Sequence, residues 1–256
     1  MTDSATVLSI KNLSKVYKRS HLGRTTVHRG IDEISFDVKA GEVFGLLGLN
    51  GSGKTTTLKL VLGLLFPTKG EISIFGNPTP HPESQKRLGY LPEVPYFYRN
   101  LNPEEVLTFY AELSQLVPSH IKTRVDEVIR LVRLDHARKR AMREFSKGML
   151  QRVALAQALI HNPEFLVLDE PMTGLDPLGI RQFRELFFEL NQKKGVSILI
   201  SSHSLSELEK LAHRVGVLID GRLVTVLDRS QWAQSPGKLE EIFIQTLERH
   251  GATSNA

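Results

Sequence analysis

The chain has 256 residues, with 33 lysines and arginines against 28 aspartates and glutamates, nine histidines, no cysteine, 41% hydrophobic residues and a formal net charge of +5. At roughly 100–200 residues per domain this length holds one large domain, or a core with a smaller partner, and the apolar content excludes a disordered chain. The absence of cysteine excludes a disulfide scaffold and a cysteine-ligated zinc site.

The longest apolar runs, such as residues 60–66, fall far short of the roughly 18–20 residues that a spanning helix needs. Met1-Thr2-Asp3-Ser4 opens without the basic region and apolar stretch of a secretion leader, so the expected compartment is the cytoplasm. Lys15, Lys18, Arg19, Arg24 and Arg29 form a loose basic stretch, and residues 138–143 a second one. Both are sparser than an arm that grips duplex DNA, and no nucleic-acid partner is expected.

Taken in chain order, residues 7–38 alternate in short runs, with Ile34, Phe36 and Val38 on one side and Ser35 and Asp37 on the other, which predicts antiparallel strands. Residues 42–48 are nearly all apolar and read as a strand covered on both faces, as in a parallel sheet. Residues 55–66 have helical length before Pro67, and 71–75 alternate again. Six of the twelve prolines lie between Pro78 and Pro103, so no long regular element is expected there and the stretch is expected to join two subdomains.

Helices follow. Asn102-Pro103-Glu104-Glu105 has the form of a helix start, with Val106, Tyr110, Leu113 and Val117 at helical spacing. A second helix carries Val125, Val128, Leu131 and Val132, and a third runs from about Leu150 to Ile160. The apolar strands 165–169 and 196–200 flank a helix bearing Phe183, Leu186, Phe187 and Leu190, the pattern of a parallel crossover. Residues 215–219, the Asp220-Gly221 turn and residues 223–227 form a hairpin, and Leu239, Ile242, Phe243 and Leu247 mark an amphipathic tail helix before a polar, frayed end.

Gly48-Leu49-Asn50-Gly51-Ser52-Gly53-Lys54-Thr55 follows a buried strand and opens a helix. This is the pattern of a phosphate loop: glycines let backbone N–H groups close on the phosphates, the helix start favours negative charge, Lys54 reaches the β- and γ-phosphates and Thr55 binds Mg²⁺. Thr56 belongs with these nucleotide-binding residues. The other half of such a site is an acid at a buried strand end, and Leu166-Val167-Leu168-Asp169-Glu170 supplies a pair. Asp169 is placed to hold Mg²⁺ and Glu170 to orient and deprotonate the water that attacks the γ-phosphate. These residues define a nucleoside triphosphatase. Asn191-Gln192-Lys193-Lys194 lacks the residues of a guanine-reading motif, and no acceptor lid of a small-molecule kinase is visible.

Further motifs, in order, give the chain a resemblance to the ATP-binding cassette family over residues 7 to 227. The resemblance implies an α/β P-loop fold with a mostly parallel core sheet, an antiparallel β subdomain and a helical subdomain. Residues 5–230 would form one nucleotide-binding domain, with the helical part at about 96–160, and residues 231–256 a C-terminal helix and tail. Tyr17 sits where the family stacks an aromatic ring on adenine, and Leu91-Pro92-Glu93 where it has a glutamine loop that touches Mg²⁺. Phe145-Ser146-Lys147-Gly148-Met149 resembles the family signature, in the variant of the ABC-2 exporter subset, whose Ser146, Lys147 and Gly148 would meet ATP held by an opposite protomer. Thr173-Gly174-Leu175-Asp176 matches the loop by which protomers touch, with Asp176 the contact, and His203 matches the switch histidine. Ser204 and Glu207 after it have the spacing of a capping box.

The implied protein is the ATPase subunit of a transporter, using ATP and Mg²⁺, working as a homodimer or with a second cassette chain. It would power export through separate membrane permease subunits, attached to the inner face of the cell membrane. A cassette ATPase serving translation or DNA repair is the alternative, and a P-loop protein without turnover a third class.

Overall fold

Apolar residues at every second position give the first two strands one buried face. Leu8 and Ile10 of β1 (Thr6–His21) lie opposite Val38 and Phe36 of β2 (Arg24–Lys39) in antiparallel register. Each strand runs 16 residues, longer than the short runs the alternation predicts. The reason is a set of register shifts between Ile10 and Val16. Each shift breaks the period of two without ending the strand.

The molecule, a computed structural model, is described for residues 5–21 and 24–251, the side chains of 18–27 excepted. The expectations for the first four residues, for the side chains of Lys18, Arg19 and Arg24, and for the frayed end beyond Gly251 lie outside the described residues. The chain divides into two compact units, Met1–Ser84 with Ser197–Ala256, and Gln85–Val196.

In the first unit β3 (Val43–Leu47) is buried throughout and leads into α1 (Lys54–Val61). This helix stops five residues short of the expected end at 66. Gly63 takes the left-handed conformation, and Leu64 N–H returns to Lys59 O at 2.9 Å, closing the last turn. Leu64 and Phe66 are left exposed as a result. β4 (Lys69–Ile74) and β5 (Asn77–Pro78) complete an antiparallel sheet in the order β2–β1–β4–β5, and a short helix α2 (Pro82–Gln85) follows.

The second unit holds β6 (Leu88–Leu91), α3 (Pro103–Leu113), α4 (Pro118–Leu131), α5 (Lys147–Leu159), β7 (Phe165–Asp169) and α6 (Pro177–Lys194). β6 and β7 pair in parallel, Leu88 opposite Phe165. A regular strand therefore sits within the proline-rich stretch, short enough to fit between Pro82 and Pro92. Val117 does not extend α3 but stands at the N-cap of α4, and α5 begins at Lys147, ahead of the expected Leu150.

The chain then returns to the first unit with β8 (Ser197–Ser202), α7 (Leu205–Leu211), β9 (Arg214–Ile219), β10 (Arg222–Asp228) and α8 (Lys238–Arg249). Its second sheet runs β10–β9–β3–β8, with β3 parallel to both neighbours and β10 turned back at Asp220-Gly221 as the sequence predicts. Trp232 is fully buried and its indole N–H donates to Glu209 O at 3.3 Å, while the Glu209 carboxylate accepts Gly237 N–H and so seats the start of α8. Among the described residues no helix is long and apolar enough to cross a membrane.

Candidate nucleotide site

The phosphate loop is built by residues that cannot carry side chains. A Cβ on Gly48 would lie 2.4 Å from Leu218 O, and one on Gly53 would lie 2.8 Å from Gly30 O. Gly51 and Gly53 have φ of 82° and 105°, which disfavour any L side chain. Gly53 is the N-cap of α1, and the first turn of that helix holds no acid to oppose an anion. Lys54 is buried, and its ammonium donates to Gly48 O at 2.7 Å and to Leu49 O at 3.3 Å. The Ser52 hydroxyl is buried without a hydrogen-bond partner. A cradle of bare backbone around a buried cation and an unspent hydroxyl fits a polyphosphate. Asn50, Gly51 and Thr55 face solvent on this loop.

Two glycines outside the motif shape it. Gly221 N–H donates to Ser52 O at 3.1 Å and Gly221 O accepts Asp32 N–H at 2.8 Å, so the β9–β10 turn braces the loop. Arg222 pairs with Asp32 at 2.8 Å and holds that carboxyl below its usual range. Gly30 lies beneath the Tyr17 ring, where a Cβ would approach Cε2 to 2.6 Å. The Tyr17 hydroxyl in turn lies 3.3 Å from the Thr56 hydroxyl. Tyr17 is thus tied to the first turn of α1. His203 directly follows Ser202, which pairs with Leu47 in the β3–β8 ladder, so the histidine stands beside the start of the loop.

The expected capping box after His203 does not form. Ser204 is the N-cap of α7 but makes no capping bond; its hydroxyl lies 3.4 Å from the Ser206 hydroxyl, and its N–H donates to Ser202 Oγ at 2.9 Å. The short Ser202–Ser204 loop satisfies the backbone locally, which displaces the box.

In the second unit Asp169 ends β7 with 4% exposure, and Glu170 follows at 8% with a φ of 46°. A glutamate in the left-handed region costs about 1 kcal/mol or more and marks a turn held by its surroundings. The Thr173 hydroxyl donates to Glu170 Oε2 at 3.2 Å. Tyr90 on β6 is half-buried; burial first, and then the charge of Asp169, push its phenol up to about 12. It is therefore a neutral donor at any physiological pH.

Glu93 is exposed just beyond β6. Gln151, which is buried on α5, donates to Pro92 O at 3.4 Å, and its own carbonyl has no partner. Ser146 caps α5 by accepting Met149 N–H at 3.3 Å. Lys147 stretches across Gly174, where a Cβ would meet its ammonium at 2.5 Å; Gly148 faces Leu175. Asp176 is exposed and caps α6 by accepting Gly179 N–H at 2.6 Å.

The first unit thus carries Tyr17, residues 48–56 and His203, and the second Glu93, Ser146, Lys147, Gly148, Asp169, Glu170 and Asp176. Gly30, Gly221, Gln151 and Thr173 were not among the expected site residues. Thr173 lies inside the expected protomer-contact loop, Gln151 lies just past the expected signature and Gly221 belongs to the expected hairpin turn, whereas Gly30 lies in no motif.

Residues 31–173 match the family model described as ABC transporter. The chain belongs to this family, in the class of its ATP-binding subunits, and the P-loop α/β fold expected from the sequence holds. It is similar to the bacitracin transport ATP-binding protein BcrA of Bacillus licheniformis, 40% identical over 222 residues that cover 86% of this chain and 69% of that one. A solved ATP-binding subunit of an ABC transporter superposes with a TM-score of 0.78 at 31% identity, over 93% of this chain and 98% of that one. A dimeric ATP-binding cassette solved in a post-hydrolysis state with ADP and Pi shares the fold at a TM-score of 0.78 and 22% identity, over 87% of this chain and 98% of that one. The chain spans about two-thirds of the length of the curated relatives it matches, 69% of BcrA and 66% of two others.

Proposed function

We propose that this chain hydrolyses ATP and so powers export through separate membrane permease subunits, working as a homodimer or beside a second cassette chain. The observation that carries the reading is the glycine-built loop at residues 48–55, with the Lys54 ammonium buried against its carbonyls. Phosphate oxygens would take the place of those carbonyls as partners of Lys54, while Tyr17 offers its ring to the adenine. Mg²⁺, when bound, polarises the phosphate oxygens; the Thr55 hydroxyl and the Asp169 carboxylate are the groups that would hold it, with Glu93 in the position of the family's glutamine.

Glu170 acts as the base that takes a proton from the attacking water. Ser146, Lys147 and Gly148, at the start of α5, serve the ATP of the opposite protomer, His203 contacts the γ-phosphate, and Asp176 meets the partner. The solved dimeric cassette supports pairing. A membrane partner at the inner face of the cell membrane is supported by apolar side chains open to solvent near Glu93, among them Val94, Tyr96 and Tyr98, and by Phe109 and Leu113 on α3. The likeness to BcrA supports transport as the work that hydrolysis drives.

A phosphate-release assay tests the reading. The parental chain should release phosphate from ATP in the presence of Mg²⁺, and Glu170→Gln should lose at least about a hundredfold of that rate while still binding ATP and eluting as a dimer. Hydrolysis by Glu170→Gln at the parental rate would remove Glu170 as the base.

A further inference from the structure

Glu170 leaves β7 with a positive φ and the chain closes on itself directly afterwards. Thr173 N–H donates to Glu170 O at 3.1 Å, and the Thr173 hydroxyl donates to Glu170 Oε2 at 3.2 Å. One residue therefore fixes both the backbone and the carboxylate of another. Met172, between them, is buried at 7%, and Leu175 N–H bonds to Met172 O at 3.3 Å, so the clamp rests on an anchored turn. A glutamate that must meet a water from one direction has several side-chain torsions to fix, and the reaction is slowed when they are fixed only in the transition state. Here a hydroxyl three residues away fixes them beforehand.

We propose that Thr173 is a positioning residue for hydrolysis, its hydroxyl setting the plane of the Glu170 carboxylate toward the attacking water. The inference rests on Glu170 being the base. In the step it serves, the water oxygen bonds to the γ-phosphorus as the bond from that phosphorus to the bridging oxygen breaks. The electron pair leaves with ADP, and the proton of the water passes to Glu170 and then to solvent. Thr173 touches neither the nucleotide nor the reacting atoms in this scheme. It acts through Glu170 alone.

Three variants of the full chain decide it: Thr173→Val, of nearly the same shape but without the donor, Thr173→Ser, which keeps it, and Glu170→Gln. The readouts are kcat and KM for ATP hydrolysis, nucleotide affinity by fluorescence titration without Mg²⁺, and the thermal midpoint. Losing one hydrogen bond to a charged group should lower kcat of Thr173→Val by about ten- to a hundredfold, with KM, affinity and thermal midpoint near parental and Thr173→Ser restored to within about threefold. A parental kcat in Thr173→Val overturns the proposal. So does a Thr173→Ser as slow as Thr173→Val, since shape and not the hydroxyl would then matter, or an affinity that falls in step with kcat. A Glu170→Gln that still turns over sinks the base assignment itself, whereas an inactive Glu170→Gln beside a parental Thr173→Val sinks only the role of Thr173.

Discussion

Gly30 and Tyr17 define how the nucleotide base would be met. The Tyr17 ring lies close enough to Gly30 that a single added methyl, at 2.6 Å from Cε2 and 3.2 Å from Thr56 Cγ2, would force the ring to shift. Base–aromatic stacking is worth about 1–3 kcal/mol. Gly30→Ala should therefore weaken ATP binding by about tenfold and leave tripolyphosphate binding unchanged, as read by isothermal titration. The double variant with Tyr17→Ala should add little, because both changes remove one contact. Parental ATP affinity in Gly30→Ala would make Tyr17 a packing residue. The sequence shows Lys54 and Glu170 plainly, because a motif and a buried strand surround them. Gly30 stands alone between Arg29 and Ile31, and only the approach of a ring from another strand gives it meaning.

At the scale of elements, the starts of helices were legible and their ends less so. Asn102 is one such start: its side chain accepts Glu105 N–H at 3.1 Å while the Glu105 carboxylate accepts Asn102 N–H at 2.9 Å, a complete box. Asn102→Ala should cost about 1 kcal/mol of stability in chemical denaturation, with nucleotide affinity untouched. A loss of affinity in that variant would mean that α3 bears on the site. A cap is a property of four consecutive residues, so it reads directly from sequence. The early stop of α1 depends on Gly63 turning left-handed, and the long β1 depends on register shifts against β2; both are decided by partners that a window on the chain does not contain. Ser204 shows the reverse error, a capping pattern whose N-cap side chain was bonded elsewhere.

For the molecule as a whole, two histidines couple stability to pH. His161 and His213 are both held below the ordinary value of 6.5, in each case by burial first, with Arg124 and Arg229 adding to it. His213 Nδ1 also accepts Val43 N–H at 3.0 Å, a bond that requires an unprotonated nitrogen. The native state then binds fewer protons than the unfolded one, so stability is complete above about pH 6.5 and falls as pH drops through that value. The thermal midpoint should decline between pH 7.5 and 5.5, and His213→Gln should flatten part of the decline. A midpoint that holds constant over this range would refute the linkage. Glu42, raised by burial above its ordinary 4.5, works in the opposite sense. Family and fold were legible at this scale because motifs from Tyr17 to His203 occur in order within a resemblance that runs from residue 7 to 227. The helical part expected at about 96–160 lies within a wider second unit, Gln85–Val196, because β6, β7 and α6 belong to that unit as well.

The brace between Gly221 and Ser52 also sets an order in time. The phosphate motif leaves the ribosome well ahead of the turn that supports its backbone, because the whole of the second unit lies between them in sequence. A nascent chain paused after β8 would carry every residue of the loop and still lack the hydrogen bond that holds its shape. Nucleotide, which stabilises the fold it binds, would then favour a chain made through β10 over one that stops at β8.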